Sequence, residues 1–284
     1  MKIIKYDSFF CRDISNVLNA VPFEQRSEIS LTLNTFPENG FIAYSLGSPV
    51  GIGCSDVTPG KKRTNIYIFV LTAYRRKGIG TELFSSIVKQ GKSKGIQHFF
   101  CEINSKSESS FFVEKIGMNK KYSSDRMIFQ GTVPQSTEMF EKYNDSMFYD
   151  FIRAEGEAFL PIRRRTGAEP LILQPTPNVR SFLAKARDDY FVLRKNGKIE
   201  AGAGCFKGEI SDVFVSAGLQ GQGIGRNLVE KCIVHSKNKG YDPVFLNVVS
   251  DNIPAVTLYR SLGFVVEKTS DFYVKTIDDN SIYS

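Results

Sequence analysis

One hexapeptide occurs twice in this 284-residue chain in closely similar form. Arg75 to Gly80 reads RRKGIG, and Gln220 to Gly225 reads QGQGIG, 145 residues later. After each, apolar residues recur every fourth position, Ile79, Leu83 and Ile87 in the first copy and Ile224, Leu228 and Cys232 in the second. That is the period of a helix with one buried face. Gly95 and Gly240 each stand 15 residues beyond the last glycine of their loop and mark the helix end. Upstream, GIGC at Gly51 to Cys54 answers GAGC at Gly202 to Cys205 at an offset of 151, each after a turn signal, Gly47-Ser48 or Asn196-Gly197. The six extra residues of the first copy are assigned to its TPGKKR loop. Downstream, KIGM at Lys115 to Met118 answers SLGF at Ser261 to Phe264. Four matches in one order make the chain a tandem repeat, predicted as domains 1–132 and 133–284 joined by a linker at Thr132 to Thr137.

Each copy reads as the same series of elements. The first has a strand near Met1 to Tyr6, helical material from Cys11 to Leu33, and strands at Phe41 to Ser45, Val50 to Asp56 and Asn65 to Val70. A long helix follows Gly78, then a strand at His98 to Ile103, a short helix over Ser109 to Ile116 and a last strand at Arg126 to Gln130. The second copy repeats this with a first strand near Met139 to Tyr143 and helices at Met147 to Leu160 and Val179 to Arg187. Its strands fall at Tyr190 to Arg194, Ile199 to Phe206, Ile210 to Val215, Val244 to Val249 and Phe264 to Lys268. Hairpins followed by a strand–helix–strand crossover predict an α/β (α+β) domain, a mixed, mostly antiparallel sheet flanked by helices.

Composition bounds the class. Hydrophobic residues at 42% and charged residues at 24% exclude disordered and collagen-like chains. The longest apolar stretch, around Ile66 to Leu71, is far short of a membrane span, and Met1 to Phe10 has no signal-peptide apolar run, so the expectation is a cytoplasmic protein without a membrane partner. Five widely spaced cysteines without a C-x-x-C pair predict reduced thiols, neither a disulfide framework nor a metal site. The net charge of +7 lies wholly before Thr132, where 18 basic face 11 acidic residues, against 19 of each afterwards.

Near-consecutive glycines where a strand meets a helix let the main chain approach a ligand, and the helix's first N–H groups lack internal partners at its positive end. QGQGIG and RRKGIG therefore predict anion cradles suited to a phosphate or pyrophosphate. Arg226 stands where the dinucleotide fingerprint G-x-G-x-x-G needs its third glycine, so that motif is absent, as is the G-x-x-x-x-G-K-[ST] phosphate loop.

A strand ending in Val, then [Q/R]-x-x-G-x-[G/A] opening a helix, then N-x-x-A-x-x-x-Y and L-G-F, resembles the GCN5-related N-acetyltransferases (GNAT). In the second copy the pattern is met by Val215, Gln220 to Gly225, Asn252, Ala255, Tyr259, and Leu262 to Phe264. The resemblance covers almost the whole chain as two tandem domains. It implies acetyl transfer from acetyl-coenzyme A, as cosubstrate and without a metal, to a primary amine of a small molecule or peptide by direct attack. It also implies that backbone N–H groups of Gln222, Gly223, Ile224, Gly225 and Arg226, in the loop opened by Gln220 and Gly221, hold the pyrophosphate. Phe214 and Val215 would bond the pantetheine arm as an added strand and steady the thioester oxygen. Asn252 would touch the same arm or cap its helix, roles that do not exclude each other.

Tyr259 matches the family's general acid, and a phenol, with a pKa of about 10, is protonated at neutral pH. Glu209, six residues before Val215, matches the catalytic glutamate of several members. Strand alternation predicts Glu209, Ser211, Val213 and Val215 on one face and Asp212 on the other, favouring Glu209 over Asp212 as base, directly or through water.

The same offsets carried back place Thr64, Val113 and Lys106 at the positions of Glu209, Tyr259 and Asn252. The first copy is thus predicted to be catalytically depleted, though Val70, Arg75, Arg76, Lys77, Gly78, Ile79 and Gly80 keep a cofactor cradle that also accounts for part of the charge. Arg163 to Arg165 could meet an acidic acceptor but read sooner as a solvated loop, and His98 and His235 as isolated residues. A coenzyme A-binding or sensing protein without turnover is the alternative. Nucleic-acid binding rests on charge alone and is disfavoured, and the oligomeric state and the acceptor are not legible.

Overall fold

A computed structural model describes residues 1–7, 14–58, 60–135, 139–168 and 171–277. Cys11 and the end of the expected linker, residues 136 and 137, lie outside them. The chain forms two compact units, Met1–Lys120 with Phe272–Ser284, and Lys121–Asp271.

The first unit runs β1 (Lys2–Lys5), α1 (Ser15–Ala20), α2 (Phe23–Thr35), β2 (Phe41–Ser45), β3 (Ser48–Ser55), β4 (Arg63–Val70), α3 (Ile79–Ser93), β5 (His98–Asn104) and α4 (Ser109–Lys115). The expected first helix is two, because Val21 and Pro22 interrupt it with extended backbone. Strands β1 to β4 pair antiparallel in order, and β4 pairs parallel with β5. The α3 stripe Ile79, Leu83, Ile87 packs on one sheet face with Ala43, Val50 and Phe99. Ile14, Val17, Ile29 and Leu33 pack on the other with Ile42, Ile52 and Cys54.

The second unit takes β6 (Asn119–Phe129), then β7 (Glu141–Lys142), α5 (Phe148–Thr166), α6 (Pro177–Lys185), β8 (Tyr190–Lys195), β9 (Lys198–Phe206), β10 (Glu209–Val215), α7 (Ile224–Asn238), β11 (Phe245–Val249), α8 (Ile253–Ser261) and β12 (Phe264–Thr276). Its hairpins β7–β8, β8–β9 and β9–β10 are antiparallel and β10–β11 is parallel. One core lies under α7 and α8, with Leu228, Cys232, Leu246 and Phe264. A second lies under α5 and α6, with Phe148, Phe151, Leu183 and Tyr190.

The units are not the contiguous segments 1–132 and 133–284. Strand β6, last of the first copy, pairs antiparallel with β11 from Phe245↔Ile128 to Val249↔Ser124, and buries Met127 and Phe129 in the second unit. Conversely β12 runs past its expected end at Lys268 and delivers Tyr273 to the core of the first unit, where the Ile277 N–H bonds the Gln97 carbonyl at 2.9 Å. Each copy thus contributes its last strand, or the end of it, to the other copy's unit. The alternating pattern showed both strands but not their partners, because a strand's side-chain period does not encode which edge it joins.

The repeat also aligns differently in space. Ten residues separate the paired Ser55 and Ile66, and four separate Cys205 and Ile210, which leaves the first copy with a loop longer by six. The glycines of GIGC and GAGC, however, are not equivalent. Gly51 and Gly53 face Leu83 and Ile87 of α3, whereas Gly202 and Gly204 face away from α7, toward Phe214 and Tyr190. The true counterparts of Gly51 and Gly53 are Ala201 and Ala203, an offset of 150. A one-residue slip in a strand alignment reverses every face.

Candidate active site

Both glycine loops form the same turn. Gly78 and Gly223 precede their helices at φ +83° and +79°, and Gly221 sits at +78°. A Cβ built on any of the three meets nothing within 4 Å, so conformation requires these glycines and the space before the helix is open. Arg76, the counterpart of Gly221, holds φ +63°, a backbone state costing about 1 kcal/mol for an L-residue. Helices α3 and α7 begin without a side-chain cap, leaving their first N–H groups to a ligand. The residues therefore fit a phosphate group of the expected cosubstrate.

The side chains flanking the glycines are not turned to that space. Gln220 Nε2 donates to the Val215 carbonyl at 3.0 Å, and Arg75 Nε to the Val70 carbonyl at 3.0 Å. Gln222 Nε2 bonds the Gly218 carbonyl at 3.3 Å, as Lys77 Nζ does that of Ala73 at 3.1 Å. Gln220 and Arg75 thus staple the loop to its strand, and Gln222 and Lys77 tie the loop to its own first turn, whether or not they carry charge. Arg226 reaches Ser261 at 2.5 Å and Glu230 at 3.5 Å, bracing α7 against α8.

The strand edge beside the cradle is open. β10 pairs with β11 only at Glu209↔Phe245 and Ile210↔Leu246, so from Ser211 to Val215 that edge has no ladder partner. At the same point β10 bulges against β9, between Ser211 and Phe214, with Asp212 at φ +50°. The bulge overturns the expected alternation. Val213 and Val215 join the core under α7, while Ser211 and Phe214 pair with Gly204 and Gly202 on the opposite face. Glu209, paired with Phe206, also lies on that opposite face, and Asp212 reaches it as well, donated to by the Tyr190 hydroxyl at 2.8 Å. An extra residue at a bulge resets the two-residue period, which a chain without a glycine at that point does not announce.

Glu209 opens β10, half-buried, and accepts from Asn247 Nδ2 at 3.2 Å. At about 3.3 Å per residue it is a strand's length from Val215. Tyr259 is 8% exposed in the core under α7 and α8, its ring edge-on to Phe264 at 6.0 Å between centroids. Burial, helped by the nearby Cys232, pushes its phenol up to about 12, so it stays protonated and able to donate. Its neighbour Leu258 lies with Val215 against Gly225, each 3.6 Å from a Cβ built there, so cradle, strand end and α8 meet. Asn252 heads α8 without a side-chain cap bond, so capping is not its role.

Sequence reasoning missed the other side of β10. There, Phe151, Glu155, Leu173, Asn178, Val179, Phe182, Leu183, Tyr190 and Asp212 line a cavity of about 400 Å³. Glu155, 1% exposed, is held by Arg163, one Nη at 3.2 Å and the other closer. Burial raises the Glu155 carboxyl above the usual range, against the pull of Arg163 and with help from Asp212. A signal existed: Phe148, Phe151, Ile152 and Glu155 follow the helical apolar spacing, putting a carboxylate where a core residue belongs. Arg163 to Arg165 form the last turn of α5 rather than a loop, and Arg165 pairs with Asp251 at 2.8 Å.

In the first unit the bulge is missing, so the counterpart of Glu209 is Asn65 rather than Thr64, each paired with the matching phenylalanine, Phe100 or Phe245. Asn65 bonds Asp56 at 2.7 Å, and Val113 is buried. The histidines are not isolated: His235 Nε2 lies 2.7 Å from Asp189, and His98 Nδ1 3.1 Å from the Thr276 hydroxyl. Among the described residues no His/Cys/Asp/Glu group could hold a metal, and no helix is long and apolar enough to cross a membrane. Cys54, Cys205 and Cys232 are buried free thiols and Cys101 is half-buried.

The model of the Acetyltransferase (GNAT) family matches the chain twice, over residues 10–118 and 137–264. The chain belongs to that family. A Mycothiol acetyltransferase of Nocardiopsis dassonvillei is 38% identical over 103 residues, 34% of this chain and 31% of that protein. One of Thermobifida fusca is 41% identical over 66 residues, 23% and 20% of the two chains. The chain thus matches about a third or less of the length of these curated relatives. Its GNAT fold is similar to a GCN5-related N-acetyltransferase from Sphaerobacter thermophilus, with TM-score 0.69 and 16% identity over 96% of this chain and 95% of that one. A tandem GNAT protein from the clavulanic acid biosynthesis pathway gives 0.55 at 12% identity over 84% and 82%.

Proposed function

We propose that the chain is an acetyl-coenzyme A-dependent N-acetyltransferase whose chemistry occurs in the second unit. The observation that carries this is the meeting at Gly225 of the open glycine cradle, the unladdered end of β10 and α8. The N–H groups from Gln222 to Arg226 hold the pyrophosphate. The free edge of β10 at Phe214 and Val215 receives the pantetheine arm and directs an N–H at the thioester oxygen, and Asn252 steadies the arm from α8.

Acetyl-coenzyme A supplies an acyl group activated as a thioester. Glu209, through water, takes a proton from the acceptor's ammonium and frees the lone pair that attacks the carbonyl carbon. As the C–S bond breaks, Tyr259 donates its phenolic proton to the departing thiolate, and the second proton lost from the nitrogen as the amide forms returns to the phenol through solvent. The first unit keeps the cradle but lacks the bulge, the carboxylate and the phenol, which supports a coenzyme A-binding or structural role for it.

Release of coenzyme A thiol with a panel of amines tests the activity, and paired charge changes locate it. Gln222 and Lys77 are both exposed. Gln222→Glu should raise the KM for acetyl-coenzyme A about fivefold by placing a negative charge at the cradle, and Lys77→Glu should leave turnover unchanged. The reverse result would move the chemistry to the first unit.

A further inference from the structure

The cavity beside the bulge bears on the acceptor, and the inference rests on the proposed acetyl transfer only for what happens to the molecule it holds. Three features of the cavity are independent of the cradle. The first is its wall: Phe151, Leu173, Val179, Phe182 and Leu183 supply an apolar surface, and its volume of about 400 Å³ is that of a small-molecule site. The second is its charge. Both oxygens of Glu155 are engaged by Arg163, so that pair is neutral, and Asp212 is left as the uncompensated carboxylate of the lining. The third is its free acceptor. Tyr190 and, at 3.4 Å, Ser211 donate to Oδ2 of Asp212, and Oδ1 has no partner among the described residues.

The sequence builds this arrangement on purpose-made space. A Cβ on Gly204 would lie 2.5 Å from the Tyr190 ring, so only glycine lets that ring lie across β9 with its hydroxyl at Asp212. A Cβ on Gly202 would lie 2.7 Å from Phe214. The bulge then carries the Asp212 carboxylate to this face, at the point where β10 parts from β11.

We propose that this cavity is the acceptor site, that Asp212 Oδ1 takes the acceptor's ammonium, and that the acceptor is a monoamine with an apolar or aromatic body. One negative charge matches one positive charge. A polyhydroxylated acceptor would lose more hydrogen bonds to water than Asn178, Tyr190, Glu155 and Asp212 can return. Asp212 positions the amine, and the proton the amine gives up reaches Glu209, three residues earlier on β10, through water.

Phenethylamine and glucosamine are probes that share the ammonium and differ in the body. Their binding to the full-length protein, read by calorimetry without cosubstrate, tests the site separately from catalysis. Phenethylamine is expected to bind at least tenfold tighter than glucosamine. Asp212→Asn should weaken it at least tenfold, and Val179→Trp, which fills the cavity from α6, should abolish it, with acetyl-coenzyme A affinity unchanged in both. Unchanged thermal unfolding shows that the variants fold. Equal binding of the two probes, phenethylamine binding unaffected by both substitutions, or no binding of phenethylamine by a protein that binds acetyl-coenzyme A, would overturn the proposal. Binding as expected without any thiol release would leave the cavity assignment standing and refute the acetyl transfer.

Discussion

Met127→Ala probes the exchange of last strands directly. Met127 belongs by sequence to the first copy, yet it is fully buried in the second unit's core and pairs with Leu246. Truncating a buried methionine to alanine removes its transfer free energy and leaves a cavity, together about 3 kcal/mol. A loss of that size lowers amide protection about a hundredfold in the elements that depend on the contact. Hydrogen exchange read by mass spectrometry should therefore show faster exchange in α7 and β11, with α3 much less affected. Tyr273→Ala should do the opposite, because its ring lies in the first unit's core and its hydroxyl donates to Glu114 at 3.3 Å. If Met127→Ala loosened α3 and spared β11, the pairing of β6 with β11 would be wrong.

The same exchange predicts that a fragment of residues 133–284 gives no cooperative thermal transition, because it lacks β6 with Met127 and Phe129. Gly223→Ala should raise the Kd for acetyl-coenzyme A roughly tenfold, since φ +79° strains alanine by about 1 to 2 kcal/mol although its Cβ meets no atom; unchanged affinity would show that the turn is not needed for binding. The buried phenol of Tyr259, at about 12, holds its proton more tightly than the unfolded chain does at about 10. The corresponding stability is fully present below pH 10 and is lost, by roughly 3 kcal/mol, as pH rises from 10 to 12, so the denaturant midpoint of the parent should fall relative to that of Tyr259→Phe over that window. Parallel midpoints throughout would mean that the phenol is not buried as described.

What the sequence made legible was whatever repeats at fixed spacing. The α3 and α7 stripes, the two glycine turns, and Tyr259 and Val113 as counterparts are all local, set within one element or one turn. What it hid depends on one-residue or long-range choices. Alignment of GIGC with GAGC matched letters on opposite sheet faces, and the Asp212 bulge shifted the counterpart of Glu209 from Thr64 to Asn65. The charges of Arg75 and Lys77 looked like phosphate ligands, but their side chains donate to strand-end and loop carbonyls just as Gln220 and Gln222 do. Charge at those positions is therefore incidental to the turn. The cavity joins α5, α6, β8 and β10, four elements whose meeting no single pattern encodes.

The central claim is that the second unit transfers an acetyl group with Tyr259 as the acid. Steady-state turnover of Tyr259→Phe, measured beside direct binding of acetyl-coenzyme A, tests it most closely. The ring and its contact with Phe264 remain, so the loss should fall on proton donation alone. The account predicts kcat lower by about a hundredfold or more with the Kd for acetyl-coenzyme A within twofold of the parent. An unchanged kcat would contradict it and leave Tyr259 as a packing residue.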